Sequence, residues 1–253
     1  MNFDNDGKAL RATAPADGGL CFSVCVGGRF FPSFGINSRG VFYNDLLVDE
    51  TGKAKYLRKS EKRIASTHFI QEIIERGYSY EEALERVLGV EVVNNPNMCS
   101  HNMIVSPLGD CFVAEHGLPL ARYPLGEAPF VVLTNFALTT EDGSAAPIAG
   151  GGSDRYERAQ GLLGASSGAM GADGLFKVLA AVSQPGPAWK TVLSLVYDAR
   201  ESLALIKLAG TSGGVFSYDL RARELRSPQG AAAKLCDLEA IADLGMGPQS
   251  EGA

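Results

Sequence analysis

The residues able to do covalent, acid–base or metal chemistry are few. Five cysteines (Cys21, Cys25, Cys99, Cys111, Cys236) and three histidines (His68, His101, His116) are spread along the 253-residue chain. Cys21 and Cys25 lie four apart in a segment that reads as strand, where even separations share a face. They are either a metal or redox pair or two small apolar core residues, and the second reading is preferred. The histidines lack ligand spacing, although His101 and His116 bracket a hairpin and could approach each other. Gly150-Gly151-Gly152 precedes a helix without the Lys-Ser/Thr of a phosphate-binding loop. No metal and no other cofactor is expected. Two polar positions are harder to explain by packing. Asn135 ends the apolar run Val131-Val132-Leu133, and Arg155 falls in the first turn of a helix, where the dipole disfavours a cation. Asn37 sits in a Gly-flanked loop of a kind that suits left-handed backbone. Asp4 is a carboxylate close to the N-terminus.

Placing these residues requires elements. Short strands over 8–13, 20–26 and 30–34 are separated by Asp17-Gly18-Gly19 and Gly27-Gly28; 35–40 then reads as a loop before an apolar strand over 41–48. Ile64, Ala65, Phe69, Ile70, Ile73 and Ile74 recur at helical spacing, and Gly77 stops that helix. Ser79 with Glu82 three residues later is a capping box for a second helix that Gly89 ends. Strands over 101–106 and 111–115 form a hairpin around Pro107-Leu108-Gly109-Asp110. A short apolar strand over 130–133 leads into Thr134-Asn135 and a Gly/Ala/Ser-rich loop. Ser153 is expected to cap a helix to Leu163, followed by a helix over 175–182. Strands over 191–197 and 203–208 make a last hairpin, and 245–253 reads as a loose tail. Strands and paired helices each come in blocks, which predicts an α+β plan of antiparallel sheet against helical layers.

Hydrophobic residues make up 45% of the chain and charged residues 21%, a composition that supports one domain with a sizeable core. A formal charge of -6 without a basic run argues against nucleic acid or an anionic membrane as partner. No apolar stretch approaches the ~20 residues that span a bilayer, and the first residues lack a secretion signal. The odd cysteine count suits a reducing, cytoplasmic setting.

Four segments, in order, resemble the choloylglycine hydrolase and penicillin V acylase group of N-terminal-nucleophile hydrolases, with its acyl-CoA:6-aminopenicillanic acid acyltransferase-like members. Met1-Asn2-Phe3-Asp4 is similar to a G-R-N-x-D or G-M-N-x-D stretch, and 34–41 to a G-M-N-E-x-G-L loop. Val131 to Asn135 resembles a strand ending in T-N, and Ser153 to Ala159 a helix that begins S-x-x-R-[FY]. The resemblance extends from Met1 to about Leu220. It implies a four-layer αββα sandwich with two antiparallel sheets, forming a single domain over 1–253.

In that group the nucleophile is an N-terminal cysteine whose own α-amine is the base. An amine of pKa about 7.7–8.0 is partly unprotonated near neutrality and can deprotonate a thiol of pKa about 8.5. The resemblance implies hydrolysis of a linear, non-peptide amide through a thioester acyl-enzyme, or acyl transfer as a variant. It assigns Asp4 to holding the nucleophile's amine, Asn37 and Asn135 to stabilising the oxyanion, and Arg155 to favouring the thiolate. The expected nucleophile is missing. The first residue is Met1, which is not expected to be trimmed before Asn2, and Met1 also stands where the group has an arginine. The group's cysteine lies one hairpin arm earlier, roughly 15 residues. The expectation is therefore a chain lacking its N-terminal strand; the alternative is a dead homologue that binds ligand or self-assembles. Cleavage before Cys21 would expose another thiol, but the Asp-containing motif should then follow it and does not. The partner expected is a small-molecule amide, with homo-oligomerisation left open.

Overall fold

Alternation of buried and exposed residues builds two sheets that share one apolar layer. The computed structural model describes residues 1–5, 9–48, 60, 62–94, 99–166, 168–186, 189–209 and 214–238. The first sheet is antiparallel and has six strands: β1 (Asn2–Asn5), β11 (Lys190–Asp198), β12 (Leu203–Leu208), β13 (Val215–Asp219), β14 (Glu224–Arg226) and β15 (Ala232–Ala233), in that spatial order. The second has seven, in the order β10 (Ala121–Tyr123), β9 (Cys111–Glu115), β8 (Ser100–Val105), β5 (Phe42–Leu47), β4 (Arg29–Asn37), β3 (Gly19–Val26) and β2 (Leu10–Thr13).

Between the sheets, Leu20, Phe22, Phe34 and Ile36 meet Leu193, Leu195, Ile206 and Tyr218, all almost fully buried. Phe22 stacks on Phe34 at 4.7 Å between ring centroids, and Phe3 of β1 approaches Phe34 at 5.0 Å. The outer face of the second sheet offers Tyr43, Ile104 and Phe112 to Phe69, Ile70 and Ile73 of α1 (Ser66–Glu75) and Ala83 of α2 (Tyr80–Leu88). Adjacent residues of β5 thus serve two cores, Phe42 inward and Tyr43 outward. On the first sheet, α4 (Ala172–Ala181) lies on β11 and α3 (Ser153–Gly164) on α4. Two antiparallel sheets flanked by helices make the αββα sandwich that the resemblance implied.

The capping box of α2 forms as expected: Ser79 Oγ accepts from Glu82 N at 3.2 Å, and Glu82 Oε2 accepts from Ser79 N at 2.8 Å. The hairpin of β8 and β9 also forms. Four expectations change. β4 runs through to Asn37, so only 38–40 form the turn. Ile64 and Ala65 belong to β6 (Arg63–Ala65), paired in parallel with β7 (Glu91–Val93), and the helix starts at Ser66. Residues 130–133 are not part of a strand ladder. Ser153 is the first residue of α3 rather than its cap; Gly152 takes the N-cap position at φ +81°. The expected tail over 245–253 lies outside the described residues. Among the described residues, no helix is long and apolar enough to cross a membrane.

Candidate active site

Asp4 opens the site because β1 is an edge strand laid on β11. Its Cα partner is Thr191, with a register shift between Phe3 and Asp4. Three donors converge on the carboxylate: the Thr191 hydroxyl on Oδ1, and on Oδ2 both Gln184 Nε2 at 2.6 Å and Arg155 Nη1 at 3.2 Å. Thr191 Oγ1 is itself fixed by accepting from Gln184 N at 2.8 Å. The Asp4 and Arg155 side chains are only 16% and 18% exposed, so their attraction is poorly screened. That pairing offsets the unfavourable position of Arg155 in the first turn of α3.

Arg155 turns its other terminal nitrogen to Asn135, with Nη2 donating to Oδ1 at 2.6 Å. Asn135 Nδ2 donates to Leu47 O at 2.7 Å. A side-chain amide has two N–H donors, so one N–H of Asn135 is left over while its orientation is fixed from both ends. The backbone makes this approach possible at Gly152. A Cβ there would sit 2.9 Å from Arg155 Nη2, 3.1 Å from Thr134 Cβ and 3.2 Å from Asn135 N.

These groups border a cavity of about 790 Å³ lined by Asn2, Asp4, Asn44, Asp45, Asn135 and Arg155 among others. Asp4, Asn135 and Arg155 therefore come together from β1, the segment after 133 and α3. Asn37 does not join them. Its Nδ2 donates to Ile73 O (3.2 Å) and Tyr78 O (2.7 Å), and its Oδ1 accepts from Arg39 N (3.0 Å) and Val41 N (3.1 Å). All its hydrogen-bonding capacity is spent on backbone, and it ties the β4–β5 turn to the end of α1.

Sequence reasoning passed over Asn44, Asp45, Gln184 and Thr191. Asn44 lines the cavity, and no protein hydrogen bond to its side chain is found among the described residues. The signal for it was the polar pair Asn44-Asp45 inside an apolar strand, and both residues line the cavity. Asp45 Oδ1 accepts from Asn102 Nδ2 at 2.8 Å. Burial pushes the Asp45 carboxyl up to about 6, against the opposing effect of hydrogen bonds from Ser100 and Asn102. Gln184 and Thr191 gave no sequence signal, since only the fold brings them to Asp4.

The remaining groups singled out by sequence lie elsewhere. His101 Nδ1 meets Glu115 Oε1 at 3.1 Å, and His116 Nε2 lies 3.4 Å from Ser100 Oγ, its pKa pushed down to about 4 mainly by burial. Glu115 also accepts from Leu138 N, Thr139 N and Thr139 Oγ1, at 2.7, 2.9 and 2.7 Å, and so anchors the segment that carries Asn135. Cys21 is buried beside Ser23, and no disulfide joins the cysteines among the described residues. Met1 packs its side chain against the inter-sheet core. Its amine donates to Leu195 O at 2.7 Å, and burial lowers its pKa to about 5.

No family model matches the sequence, and no curated protein is significantly similar to it. Solved structures do match. An arginine-to-leucine variant of conjugated bile acid hydrolase from Clostridium perfringens superposes with a TM-score of 0.63 at 12% identity, covering 92% of this chain and 92% of that one. A cysteine-to-alanine mutant of the same hydrolase gives 0.62 at 12% identity, covering 89% and 91%. Likeness at this identity speaks for the fold, and it agrees with the layers described above. The chain thus shares the αββα fold of these conjugated bile acid hydrolase structures, and its first residue is methionine.

Proposed function

We propose that this fold serves hydrolysis of a linear, non-peptide amide, with the nucleophile supplied by an N-terminal cysteine on a strand preceding Asn2. The observation that carries the reading is the Asp4–Arg155–Asn135 chain at the rim of the cavity. An acid, a cation and an oriented amide N–H meet there in the arrangement that acyl transfer needs. β1 is the edge of its sheet, so its outer side can accept one more antiparallel strand. A cysteine at the start of such a strand would come beside Asp4. The carboxylate would hold its ammonium, and the neutral amine fraction would take the thiol proton as sulfur attacks the carbonyl carbon. Asn135 and Asn44 each have an N–H free for the resulting oxyanion. Collapse of the tetrahedral intermediate passes the proton to the departing amine and leaves a thioester. Water then releases the acid, or a second amine takes the acyl group.

The test is to express the reading frame from an upstream in-frame start that places a cysteine about one hairpin arm before Asn2. The protein is then assayed on chromogenic linear amides, with intact mass to detect an acyl-enzyme. Thiol-dependent cleavage with a transient acyl adduct supports the proposal. Native protein whose N-terminus is Met1, with no thiol-dependent cleavage, overturns it and favours a ligand-binding homologue.

A further inference from the structure

The wall of the cavity carries two carboxylates that the proposed reaction does not use, Asp45 and Asp154. Much of that wall is apolar, with Val24, Phe31, Pro32, Leu46 and Trp189. Two guanidiniums also line it. That of Arg155 is committed to Asp4 and Asn135, and Arg158 donates to Ala181 O at 2.9 Å. Of the acids, Asp4 is ion-paired and Asp154 is exposed at the start of α3, where water screens it. Asp45 is different. Its carboxylate accepts from Asn102, a neutral donor, and no ion pair to it is found among the described residues.

A largely buried carboxylate in a cavity wall without a cation is costly, and a ligand that supplies the cation recovers that cost as binding free energy. A ligand carboxylate in the same place would add like-charge repulsion. A neutral hydroxyl would gain one hydrogen bond but no charge. We infer that Asp45 forms a subsite for a cationic amine, so that the cavity takes amide substrates carrying an ammonium or guanidinium group at a distance from the scissile bond. Naming that substrate class rests on the hydrolase reading for the bond that is cut, but the subsite itself is a matter of binding.

The geometry supports selection and not mere attraction. Asn102 lies opposite Asp45 in the β5–β8 register, and its amide fixes one carboxylate oxygen. Ser100 shares this network, as the hydrogen bond that lowers the Asp45 pKa. Hydrogen bonds from Asn102 and Ser100 hold the carboxylate in one orientation. A primary ammonium, with three donors, suits it better than a tertiary amine with one.

Three probes of one shape test this: 3-phenylpropylamine, 3-phenylpropan-1-ol and 3-phenylpropionate, titrated calorimetrically into the protein. The amine should bind roughly ten-fold or more tighter than the alcohol, and the carboxylate weakest. Asp45→Asn should bring amine and alcohol within about two-fold, while Asp154→Asn should keep the preference. The inference is overturned if wild-type protein shows no preference for the amine, if Asp45→Asn retains it, or if Asp154→Asn abolishes it. The wild-type series stands even if Asp45→Asn fails to fold. None of these measurements needs a nucleophile: amine preference without any amidase activity would remove the hydrolase reading and leave the subsite.

Discussion

Arg155 sets the orientation of Asn135: Nη2 of the one donates to Oδ1 of the other at 2.6 Å, while Nη1 reaches Asp4 Oδ2 at 3.2 Å. One planar guanidinium thus joins the N-terminal strand to a residue more than 130 positions later. Lysine has the charge but cannot span both partners. Arg155→Lys should keep the Asp4 pair and release Asn135, costing on the order of 1 kcal/mol of stability. Arg155→Met leaves a mostly buried carboxylate without its cation and should cost about 3 kcal/mol or more. Urea denaturation of both variants checks this; equal midpoints would mean that the second hydrogen bond, and not the ion pair, holds the site.

Asn37 and Asn44 should separate stability from activity. Asn37→Ala removes four hydrogen bonds to backbone in a buried turn, so a loss of about 2–4 kcal/mol is expected in thermal or urea unfolding. Asn44→Ala removes no protein hydrogen bond among the described residues and should change stability by less than about 1 kcal/mol. In the form with a cysteine supplied, it should lower turnover roughly 100-fold, as loss of one oxyanion donor does. Normal turnover in Asn44→Ala would take it out of the site.

Gly152 is the backbone condition for the site. At φ +81°, and with Arg155 Nη2 only 2.9 Å from where a Cβ would stand, Gly152→Ala strains the N-cap and pushes against the Arg155–Asn135 contact. A loss of about 1–3 kcal/mol is expected. The loss should be smaller when the change is made in Arg155→Ala, because the crowded guanidinium is gone. Strict additivity in that cycle would count against the crowding.

These cases show what local sequence carries. Ser79 with Glu82 announces a helix start because both hydrogen bonds lie within four residues. The β8–β9 hairpin is legible for the same reason. Residues 130–133 are as apolar as a strand, but a strand needs an edge to pair with, and that depends on the rest of the chain. Asn37 matched a motif while Asn44 did the lining. Which of two asparagines faces a cavity depends on strand register, and register is fixed by β4 and β8 together. Asp4, Asn135 and Arg155 were singled out with the help of resemblance, and their side chains do meet. Gln184 and Thr191 reach Asp4 only through the pairing of β1 with β11.

Asp45 and His116 should pull the pH dependence of stability in opposite directions. Asp45 titrates near 3.8 unfolded and about 6 folded, so between those values the folded state binds more protons and stability falls as pH rises. His116 titrates near 6.5 unfolded and about 4 folded, so over its window the unfolded state binds more protons and stability rises with pH. Each shift amounts to roughly 2–3 kcal/mol at full extent, and the windows overlap from about pH 4 to 6. The two contributions largely cancel in the wild-type protein. Asp45→Asn removes the falling one, so its stability should climb from pH 4 to 6.5 by about 2 kcal/mol relative to wild type. His116→Asn should show the reverse, a decline over about pH 4 to 6. Denaturant midpoints measured at half-unit pH steps decide the matter. An Asp45→Asn profile parallel to wild type would mean that the carboxyl is solvated in the folded protein, and the amine subsite would then lose the buried charge on which it rests.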